Sequence, residues 1–316
     1  MRFFSFVLLA VFAASASAQA YPDRPVRIVV GFPPGGSSDT VARVVAQHLS
    51  PLLGQPVVVE NKPGAGGVIG SDAVAKAPPD GYTLLLATAG HSTAAAMIQK
   101  LPFDAVKDFA WITTVTTYPF AIATAADSQI QSLPDLIQKA KAAPGKLTYS
   151  SAGVGTSHHL LGEWLSSLAG IELNHIPFKG GTSPLTEVLA GRVDVMVETM
   201  TLVLPHIKSG KLRGLAVTSP EAKDYLADVP PAAKTVPGLV FQSWLGIAAP
   251  ADTPAPIVQR LNSDLRKTLS VPEVQNRLAG LGGGAAPVAP DEMRRQVEAE
   301  VERWKKLVES RGIQRN

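Results

Sequence analysis

The chain has 316 residues, no cysteine, and a formal net charge of +3 from 29 basic and 26 acidic residues. The lack of cysteine excludes disulfide and thiol chemistry, and no basic run resembles a nucleic-acid-binding surface. A chain of this length exceeds one ordinary hydrophobic core, so it predicts two domains.

The first twenty residues have the composition of a secretory signal peptide. Arg2 is followed by the apolar run 3–14 and then by small residues, and this run is too short to span a bilayer. Two Ala-x-Ala sites compete for cleavage, so the mature chain is expected to begin at Gln19 or Tyr21. We therefore expect residues 1–20 to be removed during export to the periplasm.

Short β-branched runs alternate with helical patterns along the rest of the chain. Five predicted strands end at loops rich in glycine and small polar residues: 26–30, 57–60, 83–87, 146–150 and 173–177. Helices are predicted at 40–53, from Gly155 to Gly170, and along the apolar stripe from Met293 to Val308. This alternation predicts an α/β fold of mostly parallel sheets flanked by helices.

Two segments are predicted to pass between two lobes. They are residues 115–123, which have a proline in the middle, and the proline-rich residues 228–244. From these passages we expect one lobe made of residues 21–121 plus 236–316 and a second lobe made of residues 122–235.

Three predicted loops precede helices and could bind an anion. A helix N-terminus leaves backbone N–H groups unpaired and carries a partial positive charge, so it holds a carboxylate without a cationic side chain. The candidate ligand-binding residues are Gly35, Gly36, Ser37 and Ser38 in the first loop, Thr88, His91 and Ser92 in the second, and Gly155, Thr156, Ser157 and His158 in the third. Asp39 is expected to cap its helix instead, because a carboxylate repels an anionic ligand.

The roles of four side chains near these loops stay open at this point. His91 and His158 are either donors to a ligand carboxylate or helix caps. Lys179 is either a charged partner across the cleft or a solvated surface residue. Glu198 either accepts a ligand amine or hydroxyl group or organises water.

Three motifs are compatible with a cofactor or catalysis only in part. The glycine-rich run 64–70 departs from the dinucleotide-binding pattern, because its third glycine comes one position late. Ser157 has histidines beside it but no Gly-x-Ser-x-Gly motif and no acidic partner. His159 and Glu163 offer two metal ligands where a structural zinc site needs four. We therefore expect no enzyme, no metal and no cofactor.

An ordered set of motifs covers essentially the whole mature chain. These are Tyr21-Pro22, the run 32–39 (FPPGGSSD), Glu60-Asn61 followed by 64–67 (GAGG), 79–84 (PDGYTL), 153–158 (GVGTSH), 176–180 (IPFKG) and 214–219 (GLAVTS). The set resembles the extracytoplasmic substrate-binding receptors of tripartite tricarboxylate transporters, also called Bug receptors. The resemblance implies a two-lobed type II periplasmic-binding-protein fold of the Venus flytrap kind.

The same resemblance implies a function and partners. It implies a monomeric receptor without a cofactor that captures a small carboxylate (a di- or tricarboxylate, an amino acid or an aromatic acid) for a membrane transporter. First-lobe backbone N–H groups would hold one carboxylate, and second-lobe groups would engage the far end. The loop 88–92 and Glu198 vary between members with different ligands, so the solute itself is left open. A sensory receptor for a membrane kinase and a secreted hydrolase using Ser157 are the alternatives.

Overall fold

The computed structural model describes residues 21–178, 182–220 and 228–315. These residues form an α/β protein in which helices flank a curled, mixed β-sheet. The strands are β1 (Val26–Val30), β2 (Val57–Asn61), β3 (Thr83–Thr88), β4 (Phe109–Ala125), β5 (Thr148–Ser151), β6 (Asn174–Pro177), β7 (Val195–Thr199), β8 (Leu212–Val217), β9 (Gln242–Pro250) and β10 (Gly284–Ala285). All five strands predicted from the sequence are present, with ends within two residues of those expected.

The helices lie on both faces of this sheet. They are α1 (Ser37–Leu53), α2 (Val68–Ala75), α3 (Ala89–Met97), α4 (Leu133–Ala142), α5 (Ser157–Ala169), α6 (Ser183–Leu189), α7 (Met200–Lys208), α8 (Ala255–Ser270), α9 (Pro272–Gly280) and α10 (Pro290–Ser310). Among the described residues, no helix is long and apolar enough to cross a membrane.

The strand order is β2-β1-β3-β9-β4-β7-β5-β6, and β8 and β10 also pair with β4. The outer strands are parallel, as the sequence predicted: β1 pairs with β2 and β3, and β5 pairs with β6 and β7. The strands in the middle are antiparallel, because β9 and the long β4 run back between the two ends of the sheet. The expectation of mostly parallel sheets therefore holds only at the two ends.

Strand β4 belongs to both halves of the sheet. Its residues 109–119 pair with β9, and its residues 120–125 pair with β7 and β8. At the change of partner, Thr218 exchanges hydrogen bonds with Phe120, and the Phe241 N–H donates to the Thr218 carbonyl at 2.9 Å. The chain therefore leaves one half-sheet and returns to it through neighbouring segments.

Two predicted helix features are present in the structure. Gly170 ends α5 in the left-handed conformation, with φ of 60°. The apolar stripe of α10 is buried from Met293 to Val308. In this core the Trp304 ring meets the Trp164 ring of α5 edge to face, with 5.8 Å between centroids. Helix α10 therefore packs against elements of both half-sheets.

Candidate functional site

Residues 35–39, here called the α1 loop, begin helix α1. Gly36 occupies the N-cap position, and Gly35 has a positive φ of 83°. The Asp39 carboxylate accepts hydrogen bonds from the Gly35 N–H at 2.9 Å, from Arg43 at 2.9 Å and from Asn61 at 3.0 Å. Asp39 therefore supports the start of the helix, and the Gly35 N–H is already occupied by protein.

The Asp39 carboxyl group is held in its charged form. Hydrogen bonding from Arg43 is the largest cause, and it outweighs the opposing effect of burial with help from Gly35 and Asn61. Together these groups lower the pKa of Asp39 to about 2. The α1 loop therefore keeps its shape over the whole neutral range and well into acid.

The glycine-rich run 64–70 packs directly on the strand that leads to the α1 loop. A Cβ atom on Gly31 would lie 2.7 Å from the Gly67 Cα, and one on Gly70 would lie 2.9 Å from the Gly31 Cα. Only glycine permits this approach. A small cavity forms where these backbones meet the start of α3, lined in part by Phe32, Gly66 and Thr88.

Residues 88–92, here called the α3 loop, place their side chains differently from the sequence expectation. Thr88 caps α3 by accepting the Gly90 N–H at 3.1 Å. His91 is buried against Phe103, and its two ring nitrogens lie 2.8 Å from the Ala105 carbonyl and 3.1 Å from the Ser71 hydroxyl. Burial lowers the pKa of His91 to about 4, so the ring is neutral.

The predicted role of His91 and Ser92 as donors to a ligand does not fit this geometry. Both ring nitrogens of His91 are used by protein groups. Ser92 is fully buried, and its hydroxyl oxygen is enclosed by the protein. These two positions of α3 face its packed side, where the helix meets α10. Thr88 and the first backbone N–H groups of α3 are what the loop offers to a ligand.

Residues 155–159, here called the α5 loop, begin helix α5. Gly155 has a positive φ of 81°, and its N–H donates to the Nδ1 atom of His159 at 3.2 Å. Thr156 is the N-cap, and its hydroxyl group donates to the Gly153 carbonyl at 2.7 Å. Ser157 is the first helical residue and is buried. The loop therefore presents the N-terminal turn of α5 beside Met97, since a Cβ on Gly155 would lie 3.2 Å from the Met97 Cβ.

His158 and Glu198 form a hydrogen-bonded pair in which Glu198 is buried. The His158 Nε2 lies 2.9 Å from the Glu198 Oε1, which also accepts the Thr199 N–H at 2.7 Å and the Thr199 hydroxyl at 3.0 Å. Burial raises the pKa of Glu198, but the charge and hydrogen bond of His158 and the two bonds from Thr199 outweigh burial and lower it. Both residues were predicted separately, and the structure brings them together.

A chain of polar contacts leads from this pair toward the α1 loop. The Thr199 hydroxyl bonds the Thr201 hydroxyl at 2.9 Å. Thr201 lines a small cavity together with Tyr118 of β4 and Ser37 of α1. These contacts connect the His158–Glu198 pair, through Thr199 and Thr201, to a cavity that Ser37 also lines.

The sequence interpretation missed Tyr118, Thr199 and Thr201. Thr199 ends β7 and directly precedes α7, so it occupies the same strand-to-helix position as the predicted loops. A strand-to-helix junction was the available signal, but this one contains no glycine. Tyr118 carried no local signal, because it is one of many apolar residues of β4.

The remaining sequence candidates are placed as follows. Lys179 lies outside the described residues. Within the described ranges, no group of three or more His, Cys, Asp or Glu residues is arranged to hold a metal ion. His158 is paired with Glu198, and the His159 Nδ1 accepts the Gly155 N–H. This arrangement does not favour either histidine as the base for a Ser157 nucleophile.

Comparison with known proteins gives a consistent result along nearly the whole chain. A family model described as "Tripartite tricarboxylate transporter family receptor" matches residues 41–313. Protein BugT of Bordetella pertussis is 37% identical over 310 residues, which covers 97% of this chain and 95% of BugT.

Two solved structures from Rhodopseudomonas palustris contain bound carboxylates. Rpa4515 with adipate has a TM-score of 0.85 and 32% identity, covering 94% of this chain and 100% of that chain. MatC with bound malate has a TM-score of 0.81 and 31% identity, covering 91% and 100%. The fold is therefore that of the periplasmic binding proteins.

Proposed function

The chain belongs to the tripartite tricarboxylate transporter receptor family, and we propose that it is a periplasmic receptor for a small carboxylate. The observation that carries this proposal is the pair of strand-to-helix junctions at the α1 loop and the α5 loop, one after β1 and one after β5. The helices begin at Ser37 and Ser157, and each N-terminus suits an anionic group. The bound adipate and malate of the two related structures support the ligand class.

We propose two lobes with the boundaries expected from the sequence, 21–121 plus 236–316 and 122–235. The change of partner along β4 near residue 120 supports this division. Removal of residues 1–20 on export, a monomeric state and delivery of the ligand to transporter subunits in the membrane belong to the same proposal.

The proposed ligand lies with one carboxylate at α1 and its far end at α5. The free N–H groups of Gly36, Ser37 and Ser38 and the two serine hydroxyls would hold the first carboxylate. Thr88 and the α3 N-terminus would complete this end. Thr156, Ser157 and the His158–Glu198 pair would engage the far end. Gly35 and Gly155 shape the loops, since protein groups already accept their N–H donors.

The ligand is sought first by mass spectrometry of small acids released on denaturation of gently purified protein. In parallel, adipate, malate, citrate, aspartate and benzoate are tested by thermal shift. A ligand at a hundredfold excess over Kd should stabilise the protein by about 2.7 kcal/mol. The carboxylate proposal fails if no acid is released and no carboxylate raises the melting temperature.

Gly36→Leu tests whether the α1 backbone binds the ligand. Gly36 has an ordinary φ of −75°, and an added Cβ would come no closer than 3.7 Å, to the Pro33 carbonyl, so the fold tolerates a side chain there. The side chain would block approach to the N-terminal N–H groups. Gly280→Leu is the matched control, since an added Cβ there meets nothing within 4 Å. Unchanged affinity in Gly36→Leu would exclude this binding mode.

A secreted hydrolase using Ser157 is the competing function. It requires turnover of a carboxylic ester that is lost in Ser157→Ala, whereas a receptor retains its ligand without converting it.

A further inference from the structure

The shape of the α5 loop depends on a histidine acting as a hydrogen-bond acceptor. The Gly155 N–H donates to the His159 Nδ1 at 3.2 Å, so this nitrogen must carry a lone pair and the ring proton must reside on Nε2. The Gly155 φ of 81° is the left-handed conformation that aims this N–H at the ring. Only the neutral form of His159 with this tautomer satisfies the loop.

A second histidine supports the segment that leads into this loop, at Ser151 and Gly153. His175 Nε2 lies 2.6 Å from the Ser151 hydroxyl oxygen, which also accepts the Gly153 N–H at 3.0 Å. The His175 ring stacks on the His159 ring, with 4.2 Å between centroids, and on the Tyr149 ring at 4.8 Å. Two imidazolium rings at this separation would repel each other, so the stack also favours neutral rings.

We infer that His159 is a positioning residue: its neutral imidazole, stacked on His175, holds Gly155 so that the α5 N-terminus faces the ligand, and protonation of His159 releases this loop. The inference rests on the proposed function, because the α5 loop is proposed there to engage the far end of the carboxylate. Its consequence is a receptor that captures its ligand at neutral pH and lets it go in acid.

The charged groups around His159 are consistent with this behaviour. Burial lowers the pKa of His159, and the carboxylate of Glu163 opposes this only in part. Glu163 accepts hydrogen bonds from the Tyr149 hydroxyl at 3.0 Å and from Arg311 at 3.3 Å.

Burial and the nearby His159 lower the pKa of His175 to about 4. On the β7 side, the Glu198 carboxylate is paired with His158.

Protonation has a direct effect on one hydrogen bond. A proton on Nδ1 turns the acceptor into a donor, so the Gly155 N–H loses its partner and two N–H groups face each other. Protonation of His175 would leave its contact with Ser151 in place, because the Ser151 hydroxyl can either donate or accept a hydrogen bond. The switch is therefore located at His159, and a charged His159 makes protonation of His175 harder.

The first test uses ligand-free protein, so its outcome does not depend on the proposed function. Nuclear magnetic resonance of the ¹⁵N-labelled protein should show the Nε2–H tautomer of His159 at about pH 7.5. The exchange protection factor of the Gly155 amide should fall as His159 becomes protonated. The Gly35 amide is the internal control, because Asp39 holds it and stays charged. A Gly155 amide that is equally protected in both charge states of His159 would overturn the inference.

The second test measures binding of adipate by calorimetry at about pH 7.5 and pH 5. Wild-type affinity should fall by up to about tenfold per pH unit below the His159 pKa, the limit for one released proton. In His159→Asn, the amide oxygen replaces Nδ1 as acceptor but does not titrate. This variant should bind at neutral pH and lose less affinity in acid than wild type.

Adipate also takes up protons in acid, which changes its binding to wild type and to His159→Asn equally. This effect therefore cancels in the ratio of the two affinities. His159→Ala lacks an acceptor and should bind weakly at both pH values. If wild type and His159→Asn have the same pH profile, His159 is merely structural and the inference is wrong. If adipate fails to bind either protein, the proposed ligand class is weakened, and the resonance experiment alone decides the role of His159.

Discussion

The α1 loop and the α5 loop share one construction and differ in its chemistry. Gly35 and Gly155 have nearly the same φ, 83° and 81°, and each donates its N–H to a side chain four residues later. The acceptor is the carboxylate of Asp39 in the α1 loop and the imidazole of His159 in the α5 loop. The same backbone turn is therefore held by a charged carboxylate in the α1 loop and by a titratable ring in the α5 loop.

Their surroundings differ as well. A Cβ on Gly35 would meet nothing within 4 Å, whereas one on Gly155 would lie 3.2 Å from the Met97 Cβ of α3. The space beside Gly35 is thus open, whereas the space beside Gly155 is limited by Met97. A receptor that holds its anionic ligand firmly at the α1 loop, and at the α5 loop only while His159 is neutral, can release the ligand when His159 takes up a proton.

Removing the acceptor of the α1 loop should have the largest effect on stability. Asp39→Ala leaves the Gly35 N–H and the Asn61 amide without their acceptor at a site where the Asp39 side chain is only 4% exposed. We expect a loss of about 3 kcal/mol, measured by urea unfolding at neutral pH. Asp39→Asn retains an acceptor for Gly35 and should lose about half as much. A loss below about 0.5 kcal/mol in Asp39→Ala would show that the carboxylate does not hold the loop.

Acid should destabilise the protein through His175 while Asp39 stays charged. The folded pKa of His175 is about 4 against a usual 6.5, so the unfolded chain takes up a proton first and stability falls as pH drops from 6.5 toward 4. Allowing for its partial exposure, wild type should lose about 2 kcal/mol more than His175→Gln over this window. Urea midpoints at several pH values measure this difference.

Wild type must be compared with His175→Gln, because the buried carboxyl group of Glu300 increases the stability of both proteins as pH falls. Burial raises the pKa of Glu300 to about 7, with partial compensation from the Trp244 indole, so protonation of Glu300 stabilises the fold as pH falls from 7. This contribution is present in both proteins and cancels. If the urea midpoints of wild type and His175→Gln depend on pH in the same way, His175 does not contribute to the loss of stability in acid.

A matched pair of glycine substitutions tests the difference in surroundings. Gly35→Ala and Gly155→Ala should each cost about 1 kcal/mol, because both residues have positive φ. Only Gly155→Ala adds a methyl group against Met97, so it should also weaken ligand affinity several-fold by displacing the α5 loop from α3. Calorimetry with the identified ligand checks this. Equal ligand affinities of the two variants would show that the contact with Met97 does not affect ligand binding.

Local features of this fold were predictable from the sequence, and long-range pairings were not. The five strand runs and the stop at Gly170 follow from short-range patterns. Asp39 was expected to cap its helix, but Gly36 is the N-cap, and Asp39 accepts the Gly35 N–H from within the first turn. The antiparallel centre was missed, because the direction of β9 depends on where the chain returns, which no local pattern encodes.

The candidate site was predicted as a set of loops but not as a set of contacts. His158 and Glu198 are 40 residues apart, and their pairing depends on how α5 lies over β7. His91 was assigned to the ligand because it follows a glycine at a helix start. Its helix is only nine residues long, too short for the apolar pattern to show that this position faces the core.

The smallest effect is expected from the exposed partner of Asp39. Arg43 forms two hydrogen bonds to the carboxylate, yet its side chain is 54% exposed, and exposed ion pairs contribute little. Arg43→Ala should lower the urea midpoint at neutral pH only slightly. It should raise the pKa of Asp39, because Arg43 is the main cause that lowers it. The loss of stability caused by protonation of Asp39 would then be smaller and would be complete at a higher pH, while its onset stays at the unfolded pKa. A large loss already at neutral pH would mean that the charge of Arg43 makes the α1 loop rigid, and not the bonds from Gly35 and Asn61. In that case, repeating the measurement at high salt would reduce the difference between Arg43→Ala and wild type.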